Sequence, residues 1–201
     1  MEARPNPEPS WPKDRVFDAL NSDVDVRCQV VVIGSGAGGG VVAAELAERG
    51  LDVVIVEAGD RVQASQLGRN PVKVLRDYYQ DGATTLAFGK PSIPLPLGRT
   101  VGGTTTINSG TCFRPPEDVL DQWEKEGIRL DRTHFESCLA RVEERLNVQP
   151  VPEHLLGGSS SVIARGAEAL GLDHGPLQRN IRGCQQAAVC AFGCPNNAKQ
   201  S

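Results

Sequence analysis

The first strong pattern in the chain is four β-branched residues in a row, Val30 to Ile33, followed at once by Gly34-Ser35-Gly36-Ala37-Gly38-Gly39-Gly40. A short continuous apolar run predicts a strand covered on both faces, and the glycines predict a turn. Val41 to Arg49 then carries Ala43, Ala44, Leu46 and Ala47 and stops at Gly50, as a helix does, while Val53 to Val56 repeats the strand signal and ends at Glu57. Strand, helix and strand in this order predict a parallel, right-handed βαβ unit, because parallel neighbours need a crossover. Beyond Ala58 the pattern weakens. Pro71, Gly82, Gly89, Pro91, Pro94 and Pro96 interrupt it as far as Gly98 and leave room for one helix near Val72 to Tyr79. Pro115 and Pro116 open a helix ending at Gly127, and Thr133-His134-Phe135-Glu136 reads as a capping box for another, with Phe135, Leu139, Val142 and Leu146 on one stripe; the two are expected to pack. Ser159 to Leu170, closed by Gly171, is a third helix, in which Gly166 costs about 1 kcal/mol relative to Ala. The class is α/β, with helical insertions.

At 201 residues the chain is long enough to bury a core. Residues 1–24 read as a polar, Pro-rich N-terminal arm, with Trp11, Val16, Phe17 and Leu20 as its anchors. The start has neither an apolar signal core nor a twin-arginine pair, so a cytoplasmic location is expected. A net charge of −4 offers no broad basic field for nucleic acid. The longest stretch without a charged side chain, Cys28 to Ala44, is broken by five glycines and too short for a bilayer span, so no transmembrane segment is expected.

The glycines carry a spacing with chemical content. Gly34-x-Gly36-x-x-Gly39 follows a predicted strand and opens a predicted helix, and Glu57 closes the next strand about 20 residues on. In such a unit the first glycine permits the tight turn, the second lets a pyrophosphate approach the backbone, and the third lets helix and strand pack closely. Free amides at the helix start hold the phosphates. A carboxylate at Glu57 accepts the ribose hydroxyls of an adenosine and repels a 2′-phosphate, which fits FAD or NAD better than NADP. The competing reading is a glycine-rich turn without a ligand. A second segment, Gly98-Arg99-Thr100-Val101-Gly102-Gly103-Thr104-Thr105-Thr106-Ile107-Asn108-Ser109-Gly110-Thr111, sets two glycines before a run of hydroxyls and an Asn. It suits a loop clasping phosphate, ribityl or flavin edges, or else a Thr-rich strand with a glycine bulge.

Together these two segments resemble the N-terminal part of the glucose-methanol-choline (GMC) oxidoreductases, in which a dinucleotide fingerprint is followed some tens of residues later by a GG(S/T)-x-x-x-N loop. The resemblance covers Val30 to Thr111 and continues more loosely through Arg114 and the helices to the Cys-rich end. It implies a Rossmann-like FAD-binding domain over residues 25–201, incomplete, with the substrate domain and the C-terminal catalytic region lying outside it. By the same resemblance Gly34, Gly36, Gly39 and Glu57 hold the adenosine diphosphate of FAD, and Val101, Gly102, Gly103, Thr104, Asn108 and Thr111 line the rest. Ser109 stands where the family often has Gly. The implied reaction is FAD-dependent oxidation of a CH–OH group in an alcohol, sterol or sugar, with an electron-acceptor protein, quinone or oxygen as the second partner. The family's catalytic His lies near the C-terminus, and His134, His154 and His174 read as solvated surface histidines, so no catalytic residue is assigned. An NAD-binding Rossmann enzyme is the alternative.

Of six cysteines, Cys28, Cys112 and Cys138 are isolated, whereas Cys184-x5-Cys190-x3-Cys194-Pro195, within segment 183–197, follows the bacterial ferredoxin run with Ala187 in its second position. Three thiolates could ligate an iron–sulfur cluster that passes electrons onward, which makes a small iron–sulfur electron-transfer protein a further alternative; a tight loop with plain thiols is the simpler one.

Overall fold

The computed structural model describes residues 15–18, 23–68 and 70–200, which divide into two compact units. The first runs to Ser109 and takes back Ala187–Lys199; the second is Gly110–Gln186 with Gln200. Of the expected arm, Trp11 and Leu20 lie outside the described residues, and Val16 and Phe17, expected to anchor it, are exposed.

In the first unit Val30–Ile33 forms β1, Ala37–Glu48 α1 and Val53–Val56 β2. β1 and β2 pair in parallel, Val30 opposite Val53 and Ile33 opposite Val56, so the Rossmann-like βαβ unit is present. α1 begins inside the glycine run, four residues earlier than the apolar pattern suggests, with Gly36 at its N-cap and Ala43 buried. Its end is closed by Gly50 at φ +83°, whose N–H donates to the Ala47 carbonyl at 2.9 Å, a left-handed turn that suits glycine. The expectation that β1 is covered on both faces is overturned. Side chains alternate along it, and while Val30 and Val32 are half-buried, Val31 is exposed and Ile33 is 88% exposed. Among the described residues, the face of β1 that carries Val31 and Ile33 is left exposed.

The core of the unit lies elsewhere. Pro71–Tyr78 forms α2, started by Pro71 and by the Asn70 side chain, which accepts the Lys73 N–H at 3.1 Å. Its Val74 and Tyr78 pack with Leu67, Tyr79 and Ile107. A two-residue antiparallel pair, β3 (Leu86–Ala87) with β4 (Ile93–Pro94), follows, and Thr104–Ile107 makes one turn, α3. The returning Cys-rich segment is seated on this core: Phe192 packs against it, and the Phe192 carbonyl accepts the Gly68 N–H at 3.0 Å.

The second unit holds α4 (Glu117–Lys125), α5 (Arg132–Arg145), β5 (Val148–Pro150), α6 (Gly158–Leu170) and β6 (Gln178–Asn180). β5 and β6 pair antiparallel, Val148 opposite Asn180, a pairing the sequence pattern does not announce. The capping box read at Thr133 is also corrected. Asp131 is the N-cap of α5, its carboxylate accepting the His134 N–H at 3.0 Å, and Glu136 instead pairs with Arg114. Arg132 reaches back to Glu117, Asp121 and Glu124 of α4, so the two helices are joined by surface ion pairs. Such exposed pairs contribute little stability, about 0–1 kcal/mol each.

Candidate functional site

The site is built where the two glycine-bearing loops of the first unit meet. Gly34, at φ +89°, turns the chain out of β1, and its N–H donates to the Val56 carbonyl at 2.8 Å. α1 then leaves Gly36 with no side-chain cap on its first amides. Helix starts of this kind offer N–H groups to an anion. A Cβ added at Gly36 or Gly38 would meet nothing within 4 Å, whereas one at Gly39 would lie 1.9 Å from the Gly34 carbonyl oxygen. The space over Gly36 is open, and the contact at Gly39 is closed.

Glu57, one residue past β2, is held by the Ser35 hydroxyl and by backbone N–H groups. Its Oε2 accepts the Ser35 N–H at 2.9 Å and the Ser35 hydroxyl at 2.6 Å, and its Oε1 accepts the Gly59 N–H at 2.8 Å. Partial burial pushes its pKa up, but the bonds from the Ser35 hydroxyl and from the N–H groups of Ser35, Gly59 and Ala58 outweigh that and leave it below the usual carboxylate range. The carboxylate is therefore ionised at neutral pH, as an acceptor for hydroxyl groups must be.

The second loop is laid against the first. Asp60 bridges Thr100: the Asp60 carbonyl accepts the Thr100 hydroxyl at 2.7 Å and the Val101 N–H at 3.1 Å, and Thr100 is fully buried. The Gly102 N–H donates to the Ser35 Oγ at 3.0 Å, and a Cβ at Gly103 would stand 3.1 Å from the Gly36 Cα. Gly102 and Gly103 both have positive φ, +87° and +56°, and Thr104 opens α3, its Oγ1 accepting the Gly98 N–H at 2.9 Å. The segment is thus a loop followed by a helical turn, and the Thr-rich strand reading is set aside. Asn108 caps that turn, its N–H bonded to the Thr104 carbonyl at 2.9 Å.

The structure therefore gathers Gly34, Gly36, Gly39, Glu57, Val101, Gly102, Gly103, Thr104 and Asn108 in one unit. Thr111 belongs to the second unit, bridged to Arg179, and is not among them. Sequence reasoning missed Ser35, Asp60 and Thr100, and also Lys199, whose buried ammonium donates to the Asn108 carbonyl at 2.7 Å. A hydroxyl inside a glycine fingerprint was the only signal available for Ser35.

The iron–sulfur reading is not supported. Among the described residues no group of three or more His, Cys, Asp or Glu side chains is arranged to hold a metal ion. The Cys194 sulfur instead accepts the Ala198 N–H at 3.2 Å, fixing a tight turn, and the Cys190 carbonyl takes a 3.5 Å contact from Lys199. Cys184 belongs to the second unit, where it lines a hollow of about 140 Å³ with His154. His134, His154 and His174 all lie in that second unit too. Among the described residues no helix is long and apolar enough to cross a membrane.

Comparison with known proteins gives the same outline. Residues 32–70 match the NAD(P)-binding Rossmann-like domain, and residues 75–201 match the GMC oxidoreductase family. An uncharacterized GMC-type oxidoreductase of Mycobacterium tuberculosis is 41% identical over 187 residues, covering 92% of this chain and 30% of that protein. Another from Sinorhizobium fredii is 37% identical over 187 residues, covering 91% of this chain and 36% of that protein. A long-chain-alcohol oxidase of Arabidopsis thaliana is 34% identical over 179 residues, covering 87% and 23% respectively. The chain spans between about a quarter and just over a third of the length of these relatives. Fold, paired loops and sequence agree that this chain belongs to the GMC oxidoreductase family, in the N-terminal, Rossmann-like part of it.

Proposed function

We propose that the chain forms the FAD cradle of an oxidoreductase acting on the CH–OH group of an alcohol. The observation that carries this reading is the junction of the two loops, in which an ionised Glu57, the open backbone at Gly36 and the Gly102-Gly103 turn share one hydrogen-bonded frame through Ser35. An elongated dinucleotide needs these features together: a carboxylate for ribose hydroxyls, uncapped helix amides for phosphate, and a second loop for the remainder. The residues present fit the group. Glu57 would accept the ribose hydroxyls, the start of α1 would face the pyrophosphate, and Val101 to Thr104 with Asn108 would line the rest. When bound, FAD supplies a two-electron acceptor for the carbon that carries the hydroxyl.

The protein's own contribution is orientation. Gly39 keeps α1 against the end of β1, so the helix amides do not shift, and the bond from the buried Thr100 hydroxyl to the Asp60 carbonyl keeps the second loop level with the end of β2. Among the described residues of the cradle the one carboxylate of the site, Glu57, is taken up by Ser35 and Gly59, so the base for the alcohol proton is sought elsewhere. The likeness to long-chain-alcohol oxidases favours an aliphatic alcohol as donor.

The test is an absorption spectrum with iron analysis, after anaerobic addition of FAD and desalting. Flavin bands that persist, with no iron, are expected. A natively folded protein without flavin bands overturns the reading, and stoichiometric iron would restore the electron-transfer alternative. The donor class is tested on a chimera in which the remaining residues of the Mycobacterium tuberculosis relative follow Ser201. Anaerobic bleaching of the flavin by a long-chain alcohol is expected, and bleaching by sugars alone overturns that assignment.

A further inference from the structure

The geometry points to Ser35 as a positioning residue that couples the two loops into a single binding surface, an inference that rests on the FAD reading above. Its hydroxyl is, among the described residues, the side-chain group bonded to both sides: it donates to Glu57 Oε2 at 2.6 Å and accepts the Gly102 N–H at 3.0 Å. The two ends differ in what remains without it. Glu57 keeps its backbone donors, Ser35 at 2.9 Å and Gly59 at 2.8 Å among them. Gly102 keeps none, because the Ser35 oxygen is the acceptor the structure gives its N–H. The Gly102 carbonyl is held by the Thr105 hydroxyl at 2.6 Å, so the N–H side of the residue is the one that depends on Ser35, and at φ +87° the glycine backbone is free to turn once that bond is gone.

Loss of the hydroxyl therefore falls on the second loop rather than on the carboxylate. A ligand that uses only the Glu57 end and the start of α1 should barely sense it, whereas a ligand that reaches the second loop must order that loop at its own expense. ADP is a probe of the first kind and FAD of the second. The ionised Glu57 strengthens the link, since a hydroxyl that donates to a carboxylate is a better acceptor for the next N–H.

The experiment compares the full chain with Ser35→Ala and Ser35→Thr by hydrogen exchange without ligand, and by calorimetric titration with FAD and with ADP. In Ser35→Ala, exchange across Val101 to Thr104 should rise about fivefold to tenfold, FAD affinity should fall by a similar factor, and ADP affinity should change by less than about threefold. Ser35→Thr, which keeps a hydroxyl, should restore both toward wild type and tests the coupling even where the alanine variant folds poorly. Equal losses for ADP and FAD, or unchanged exchange at Gly102, overturn the coupling. A wild-type chain that binds neither nucleotide, while Ser35→Ala still loosens Gly102, overturns the cofactor reading and with it the FAD half of this inference, but leaves the Ser35 link itself in place.

Discussion

Gly39 stands so close to Gly34 that a Cβ at position 39 would lie 1.9 Å from the Gly34 carbonyl oxygen. No rotamer relieves such a contact, because both partners are backbone. Gly39→Ala must push α1 away from the end of β1, at a cost of about 1–3 kcal/mol, as for other overpacked contacts. Gly38→Ala, one residue earlier, adds its methyl to open space within the same helix and should be neutral or slightly stabilising. Urea unfolding of the two variants is expected to separate their midpoints in that order, with FAD binding weakened only in Gly39→Ala. Equal midpoints would show that α1 yields freely.

Glu57 gives a pH dependence whose sign follows from its partners. The donors around it hold its folded pKa below the ordinary value of 4.5. Its stabilising contribution is therefore complete above that value and is lost as pH falls through the depressed one. Asp77, Asp121, Glu124 and Glu143 are lowered as well, by their Arg and Lys partners, so the informative quantity is a difference. The stability gap between wild type and Glu57→Gln is expected to be constant from about pH 7 to 5 and to narrow below that. A gap that widens on acidification would mean that the carboxylate is not the form the loop prefers.

How much of this was legible depends on the range of each contact. The βαβ unit is written locally, in two valine-rich runs and a glycine spacing, and it was read correctly in kind. The same runs misled on burial, because nothing inside Val30 to Ile33 tells whether a third strand or a second helix layer lies beside it. Asp131 rather than Thr133 caps α5 for a different reason: both residue types can cap, but Glu136, the partner a capping box at Thr133 would need, is paired with Arg114. Ser35 with Gly102, Asp60 with Thr100 and Lys199 with Asn108 join residues far apart in the sequence, so no periodicity announces them. The cysteine spacing did carry structural content, but as the turn that Cys194 closes on Ala198 rather than as a ligand set.

Gly166 offers a prediction in the second unit. It sits inside α6, is exposed, and a Cβ there would meet nothing within 4 Å. The helical glycine is thus a cost without a packing return. Gly166→Ala should stabilise the protein by about 0.5–1 kcal/mol, read as a higher urea midpoint with an unchanged slope. A destabilised variant would reveal a neighbour that the described residues lack.

Tyr79 joins the seated Cys-rich segment to the loop that ends at Asn108. Its buried hydroxyl lies 3.1 Å from the Ile107 carbonyl and 2.5 Å from the Ala191 carbonyl, so its single proton is shared between acceptors from two distant parts of the chain. Burial pushes its pKa above the ordinary 10.0, which keeps it a donor through the neutral range. Tyr79→Phe retains the ring that packs with Leu67, Val74 and Ile107 but leaves both carbonyls short of a partner. The expected cost is about 1–3 kcal/mol. It should appear as faster hydrogen exchange in two separate peptides, one around Ile107 and one around Ala191, because the same group holds both. Exchange that quickens in only one of them would mean that the phenol serves that segment alone, and that Lys199, bonded to the Asn108 and Cys190 carbonyls, is sufficient to hold the second.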